Sequence, residues 1–329
     1  MRSASSPGDS AADFTRRSFA RIAALGLVAG AGASGAASAA VAAEGGGQVH
    51  YDRARALAGG DPVLLALHRA LTPGVELPRP PSPAPVKLFD NLVMLSAGWV
   101  SAMAVLTDEG IVLIDALTSP AEAEAVVVGG LREVGALPET IRYVVVTHGH
   151  DDHFGGAQYL ADQYGARVLT TPADWDLVAR TDPEHAPARD LEIADGQCLA
   201  LGGTRIRLHH TPGHTAGTVS PIIPMRAGRV RHTAMLWGGT NPPASLAELR
   251  SYRAAIRSFR ARMREAGVDV ELSNHPNDHG LQRAEQLRQQ PEGVNPFVLG
   301  RPRAQLYMAV MDLMLRGRIA DAHGTPLGR

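Results

Sequence analysis

The chain has 329 residues, a formal net charge of −1, and 45% hydrophobic and 20% charged residues, the profile of an ordinary globular protein with a sizeable core. That balance excludes a basic nucleic-acid footprint, and the lone Cys198 excludes an intramolecular disulfide framework. Lys87 is the single lysine, so the positive charge is almost all arginine, which reads as genome bias and not as function.

In chain order, the first segment is a targeting signal. Thr15-Arg16-Arg17-Ser18-Phe19-Ala20 resembles a twin-arginine export signal, and an Ala/Gly-rich apolar stretch follows over 22–41. That stretch is long enough to cross a membrane at about 20 residues. It is weakly apolar, however, and runs into small residues at 38–43 that suit signal peptidase. Residues 1–43 are therefore expected to be a cleaved signal peptide, giving a periplasmic or secreted protein with no membrane contact after cleavage. Residues 44–85 read as a lead-in, with an amphipathic helix over Pro62–Leu71 and a stiff extended linker over 78–85. His50 and His68 fall here and are expected at the surface, not as ligands.

Strands are predicted at Val86–Phe89, Leu92–Ser96, Ser101–Thr107 and 111–115, with turns at Gly98 and Gly110 supporting hairpins. Ser119 caps a helix to about residue 134, with Pro120 in its first turn. A strand over 142–147 leads into His148-Gly149-His150-Asp151-Asp152-His153, which packs three histidines and two aspartates into six residues. A buried strand that ends this way delivers metal ligands to the rim of a sheet. Histidines at i and i+2 on an extended turn can face one side, so His148 and His150 can grip one ion. Asp152 and His153 stand ready for a second, at the roughly 3.5–4 Å separation of two-metal hydrolases. Asp151 is expected to be structural or solvent-facing.

A helix over 156–164, a strand at Arg167–Thr170 and a helix from Pro172 come next. The second half repeats the theme, with strands at 198–201, 204–209, 218–224 and 229–236. Cys198 is expected to be a small buried hydrophobe. His209 and His210 alternate on a strand, one facing the core and one facing solvent, and are weak ligand candidates. In the following Thr211-Pro212-Gly213-His214-Thr215-Ala216-Gly217-Thr218, the Pro-Gly pair swings His214 out of the sheet. Ser245 and Glu248 form a capping box for a helix to about 266. A strand over 269–273 ends at Asn274-His275-Pro276. Tail helices are predicted at 281–290 and 303–315, and Asn295-Pro296-Phe297 between them is expected to line the mouth of the site.

HGHDDH after a strand and TPGHTAGT downstream resemble the metallo-β-lactamase superfamily, whose signature is HxHxDH, over about residues 86–275. The resemblance implies an α/β fold, a four-layer αβ/βα sandwich with metals at one edge, here carrying a C-terminal helical extension. It implies a domain over 86–280 and an extension over 281–329. Site one would be His148, His150 and His214. Site two would be Asp152, His153 and one more residue. Glyoxalase-II-like members complete the site with a bridging aspartate, but Gly238 or Gly239 stands where that carboxylate would sit. The pattern left resembles subclass B3, in which His275 completes site two. Asp115 would support the ligands from behind. B3 enzymes usually carry substrate-holding serines where this chain has Thr240 and Asn241, a candidate substrate pocket.

What the resemblance implies is an exported hydrolase with two Zn2+ ions, iron or manganese remaining open, and a small-molecule substrate. A metal-bound hydroxide would attack a carbonyl, with Asp152 as both ligand and orienter. The specific expectation is a B3-like β-lactamase with weak or absent β-lactam turnover. A lactone, ester or thioester hydrolase is the alternative, and a non-catalytic metal-binding protein is the reading from a different class. The sequence leaves the oligomeric state open.

Overall fold

Each half of the chain builds its own sheet. The structure is a computed structural model and describes residues 46–276 and 279–324; the export segment expected at 1–43 lies outside them. Helices α1 (Gln48–Ala58) and α2 (Pro62–Leu71) come first. Asp61 caps α2 by accepting from the Val63 and Leu64 N–H groups, with Pro62 at the first helical position.

Strands β1 (Val86–Phe89), β2 (Leu92–Ser96), β3 (Ser101–Thr107) and β4 (Gly110–Ile114) form an antiparallel meander. Next, α3 (Pro120–Glu122), a π-helical turn (Ala123–Val128) and α4 (Gly129–Glu133) run end to end. The run crosses over to β5 (Ile141–Val145), which pairs parallel with β4. Short helix α5 (Asp151–Phe154), α6 (Ala157–Tyr164), β6 (Arg167–Thr170), α7 (Pro172–Thr181) and β7 (Leu191–Glu192) complete a sheet ordered β1 to β7.

The second sheet takes β8 (Gln197–Leu201), β9 (Thr204–His210), β10 (Val219–Ala227), β11 (Val230–Trp237) and, after α8 (Leu246–Ala266), β12 (Val270–Ser273), in the order β12-β11-β10-β9-β8. Helices α9 (Gly280–Gln289) and α10 (Arg301–Gly324) follow.

Period-two alternation sorts the side chains into layers. Along β2, Leu92 and Met94 face the second sheet, while Val93 and Leu95 face the helices. Along β11, Ala234 and Leu236 face the first sheet, while Met235 and Trp237 face outward. The central layer joins Met103, Val112 and Val145 to Leu208, Ile223 and Leu272. One outer layer packs Val127, Leu131, Leu160 and Trp175 on the first sheet. The other packs Ala54, Leu64, Leu67, Tyr252, Phe259, Met308 and Met311, from α1, α2, α8 and α10, on the second. This is the expected four-layer αβ/βα arrangement.

Four local expectations are corrected. Cys198 is half-buried, because β8 is an edge strand. Asn295-Pro296-Phe297 does not reach the site. Phe297 is buried in the central layer, and the segment pairs with the start of β12 through Val270 and Val298, at the end of that strand opposite His275. His68 is half-buried between helices, its Nε2 3.2 Å from the Tyr51 carbonyl, and His50 is also half-buried. The tail helix runs well past residue 315, because Ile319 and Ala322 carry the apolar face of Met311, Met314 and Leu315 onward against the same outer cluster.

Candidate metal centre

Three strand ends meet at one edge of the sandwich. The Val219 N–H, where the loop after β9 ends, donates to the Thr147 carbonyl, and Asn274 Nδ2 reaches Thr147 Oγ1 at 3.3 Å, so the segments after β5, β9 and β12 are stitched together. After β5 the chain bends through 147–150, reaches an extended His150 (φ −93°, ψ 148°) and then turns into α5, so His148 and His150 lie on the loop while Asp152 and His153 lie on a helical turn. Before His214, Gly213 takes φ +150°, and a Cβ there would fall 2.3 Å from the Tyr252 Cα; glycine alone fits this approach to α8.

The donor atoms form two groups. His214 Nε2 lies 3.0 Å from His148 Nε2 and 3.1 Å from His150 Nδ1. His153 Nε2 lies 3.2 Å from His275 Nε2 and 3.4 Å from Asp152 Oδ2, and His275 Nε2 is 3.5 Å from Asp152 Oδ2. Tetrahedral bonds of about 2.0–2.1 Å separate neighbouring donors by roughly 3.3 Å, so both groups have the spacing of zinc ligands. A ring nitrogen of His148 also falls within 4.8 Å of donor atoms of Asp152 and His153, tying the two groups together. Three imidazoles in one group, and two imidazoles with a carboxylate in the other, are a donor set that fits divalent metal ions.

The second nitrogen of most rings is tied down. His153 Nδ1 donates to Asp115 Oδ2 at 2.8 Å, His214 Nδ1 to the Asn241 carbonyl at 2.6 Å, and His275 Nδ1 to the Trp99 carbonyl at 3.0 Å. His148 Nδ1 lies 3.2 Å from Thr147 Oγ1. A proton held on the outer nitrogen leaves the inner one with its lone pair toward the centre.

Burial, reinforced by neighbouring imidazoles, pushes His214 down to about 3 and His275 down to about 4; the same causes hold His148 well below its ordinary value. Burial also lowers His150. These rings are neutral, as ligands must be. Burial would lower His153 too, but the Asp152 and Asp115 carboxylates outweigh it and push the ring up to about 10. Burial works against ionising Asp152, yet the His153 cation dominates and holds its carboxyl far below the usual range. Two buried carboxylates thus draw a positive charge to this point.

Several supporting residues were not legible in the sequence. Buried Asp174, which reads as a helix-start acid on α7, accepts from the Gly149 N–H at 3.0 Å, the Gly217 N–H at 2.9 Å and Thr215 Oγ1 at 2.7 Å. It clamps the two histidine loops to each other. Buried Asn274 aims its Nδ2 at Asp115 Oδ2, Thr147 Oγ1 and the Gly238 carbonyl. Tyr252 donates from its hydroxyl to the Gly239 and Thr240 carbonyls at 2.6 and 2.8 Å. The Thr-x-x-Asp pattern at 171–174 and the asparagine beside His275 were the available signals, and both resemble ordinary caps and turns.

The remaining expected residues fall as follows. Asp151 is exposed, His209 is buried, and His210 is exposed with Nε2 2.8 Å from the Ala216 carbonyl. Thr240 is buried at 9% exposure, while Asn241 accepts from His214 at its carbonyl and borders the cleft. A Cβ on Gly239 would lie 2.5 Å from the His214 Cβ, and one on Gly238 1.9 Å from the Val219 carbonyl oxygen, so neither position has room for a carboxylate. The cleft, of about 440 Å³, is bounded by Asn241, His275 and Trp99 on one side and by Ala70, Leu77 and Arg79 of the lead-in on the other.

Comparison with known proteins gives a consistent picture. A family model described as the metallo-beta-lactamase superfamily matches residues 97–226. A hydroxyacylglutathione hydrolase of Acidiphilium cryptum (strain JF-5) is 39% identical over 108 residues, 33% of this chain and 40% of that protein. The match therefore spans well under half of the relative. Among solved structures, the native FEZ-1 metallo-beta-lactamase from Legionella gormanii superposes with a TM-score of 0.61 at 19% identity, covering 72% of this chain and 96% of that one. BJP-1, a subclass B3 metallo-beta-lactamase of Bradyrhizobium japonicum, gives 0.59 at 21%, covering 71% and 91%.

Proposed function

We propose that this chain, which carries a metallo-beta-lactamase superfamily domain, is a hydrolase that works with two divalent ions, zinc foremost, on a small carbonyl compound. His148, His150 and His214 would hold one ion, and Asp152, His153 and His275 the other. The observation that carries this reading is the convergence of six donor atoms at ligand spacing, with four of the five imidazoles fixed by a partner on the outer nitrogen. Held there, the ions would supply Lewis acidity, polarising a carbonyl and lowering the pKa of a water from 15.7 toward about 7.

The chain's own residues do the rest. Against the effect of burial, the neighbouring His153 cation favours the ionised form of Asp152, which suits it to serve as ligand and hydrogen-bond acceptor. Asp115 keeps the His153 proton on Nδ1. Asn241 and Trp99 border the cleft and would contact substrate, while Thr240 is withdrawn, its carbonyl held by Tyr252.

His275, and the lack of room for a carboxylate at Gly238 and Gly239, favour the B3-like arrangement over a bridging aspartate. The substrate is an ester, lactone or thioester, or a β-lactam turned over weakly. The thioester reading draws support from the relatives called hydroxyacylglutathione hydrolase. We also propose export through the twin-arginine route, on the strength of Arg16 and Arg17.

The test is elemental analysis joined to a hydrolysis panel. Purified protein grown with ample zinc should carry two ions per chain, and the His214→Ala and His275→Ala variants one each. It should hydrolyse at least one of nitrocefin, a carbapenem, an acyl-homoserine lactone and a glutathione thioester in a metal-dependent way. A single ion in the wild type, or no turnover across the panel and simple activated esters, would remove the proposal.

A further inference from the structure

The lead-in to the first strand forms one wall of the cleft, and that wall carries a cation. Arg79 lines the cleft together with Trp99, Asn241 and His275. Its guanidinium carbon lies 3.9 Å over the Trp99 ring, and that ring lies 5.8 Å from the His275 ring. These two contacts in series put the guanidinium within about 10 Å of the His275 ring. Among the described residues, the Trp99 face is the only partner recorded for Arg79, and no carboxylate pairs with it. Seated over the indole with its N–H groups unpaired among the described residues, the guanidinium is available to bind a carboxylate through two parallel hydrogen bonds.

Trp99 has a second duty, because its carbonyl accepts from His275 Nδ1. One residue therefore touches both the Arg79 guanidinium and the ring of a candidate metal ligand, which ties the cation to the reacting edge. Glu76 borders the same cleft and disfavours a substrate with several negative charges.

We infer that Arg79, braced on Trp99, is a specificity residue that receives a single carboxylate on the acyl portion of the substrate, so that the preferred substrates are monoanionic acyl compounds. This inference rests on the hydrolase reading and narrows its substrate class.

The test compares two activated esters of equal chain length on the zinc-loaded protein: mono-4-nitrophenyl succinate, which carries the carboxylate, and neutral 4-nitrophenyl butyrate. Arg79→Met should raise KM for the succinate about tenfold or more, the scale of one charged hydrogen-bonded contact. It should leave kcat within about twofold and the butyrate constants unmoved. Arg79→Lys, which keeps the charge but loses the planar fork, should fall between. Equal effects on the two esters, or none, would overturn the assignment.

A binding arm separates the inference from the reading beneath it. Succinanilic acid, an amide analogue, should bind the zinc-loaded wild type at least tenfold tighter by calorimetry than it binds Arg79→Met, while butyranilide should not distinguish them. If that difference persists but neither ester is cleaved, the anion site stands and the hydrolase reading falls. If the esters are cleaved but the difference is missing, the hydrolase reading stands and the anion site falls.

Discussion

Asp115 shows how much one buried side chain can organise. It sits at φ +65° just after β4, a conformation that costs a non-glycine residue about 1–3 kcal/mol and that short polar side chains tolerate best. Its two oxygens then serve the Thr147 N–H and hydroxyl, His153 Nδ1 and the Asn274 amide. Asp115→Asn keeps the shape but loses the charge that fixes the His153 tautomer, so zinc affinity measured by chelator competition should fall about 10- to 100-fold. Asp151→Asn, at an exposed position, should leave it unchanged; equal losses would refute the role of Asp115.

The imidazoles also set a pH dependence for the metal-free protein. His214 at about 3 and His275 at about 4 have folded pKa values below the ordinary 6.5. Over the window from about 6.5 down to 3 the unfolded chain binds protons that the folded rings refuse, so stability falls with pH. His153, raised to about 10, has the opposite sign: its contribution is fully present below 6.5 and is lost as pH rises through 10. The Tm of the metal-free protein should therefore drop on acidification from pH 6.5 to 4, and drop less in the His214→Gln/His275→Gln double variant. Parallel profiles for the two proteins would contradict the assignment.

At the scale of elements, the second histidine loop is held by close packing. Gly239 follows β11 and leaves room for the His214 ring, while its carbonyl is fixed by the Trp237 indole N–H and the Tyr252 hydroxyl. Neither neighbour can yield cheaply, because Trp237 and Tyr252 are stacked with ring planes 5° apart inside a buried layer. Gly239→Ala should displace His214, reducing bound metal from two ions to one by elemental analysis. A variant that keeps both ions would show that the loop adapts.

At the scale of the whole molecule, two half-chains make two sheets, and the candidate site exists only where their edges meet. The lead-in helices belong to the same outer layer as α8 and α10, since Leu64 and Leu67 share one apolar cluster with Tyr252 and Met311. Among the described residues no helix is long and apolar enough to cross a membrane. The export proposal therefore rests on the first 43 residues, and replacing Arg16 and Arg17 with lysine should hold the precursor in the cytoplasm in a fractionation assay. Undiminished mature protein outside the cell would sink it.

Local patterns in the chain were enough to read the layers and to single out the candidate donors. Strand alternation, Pro-Gly breaks and caps such as Ser245 are local signals, and HGHDDH, TPGHTAGT and SNHP named the donor residues because ligand types cluster within a few positions. Tertiary structure alone decided what supports and surrounds them. Asp174, Asn274 and Trp99 act on partners that lie 25 to 176 positions away, and nothing in their local sequence sets them apart from caps, turns or core residues. The same holds for the stretch around 78–85, which reads as a stiff linker. Only the folding of the chain back over the sandwich edge brings Arg79, just inside it, onto Trp99 and makes the lead-in a wall of the cleft, because contact across such a separation depends on packing that no local pattern encodes.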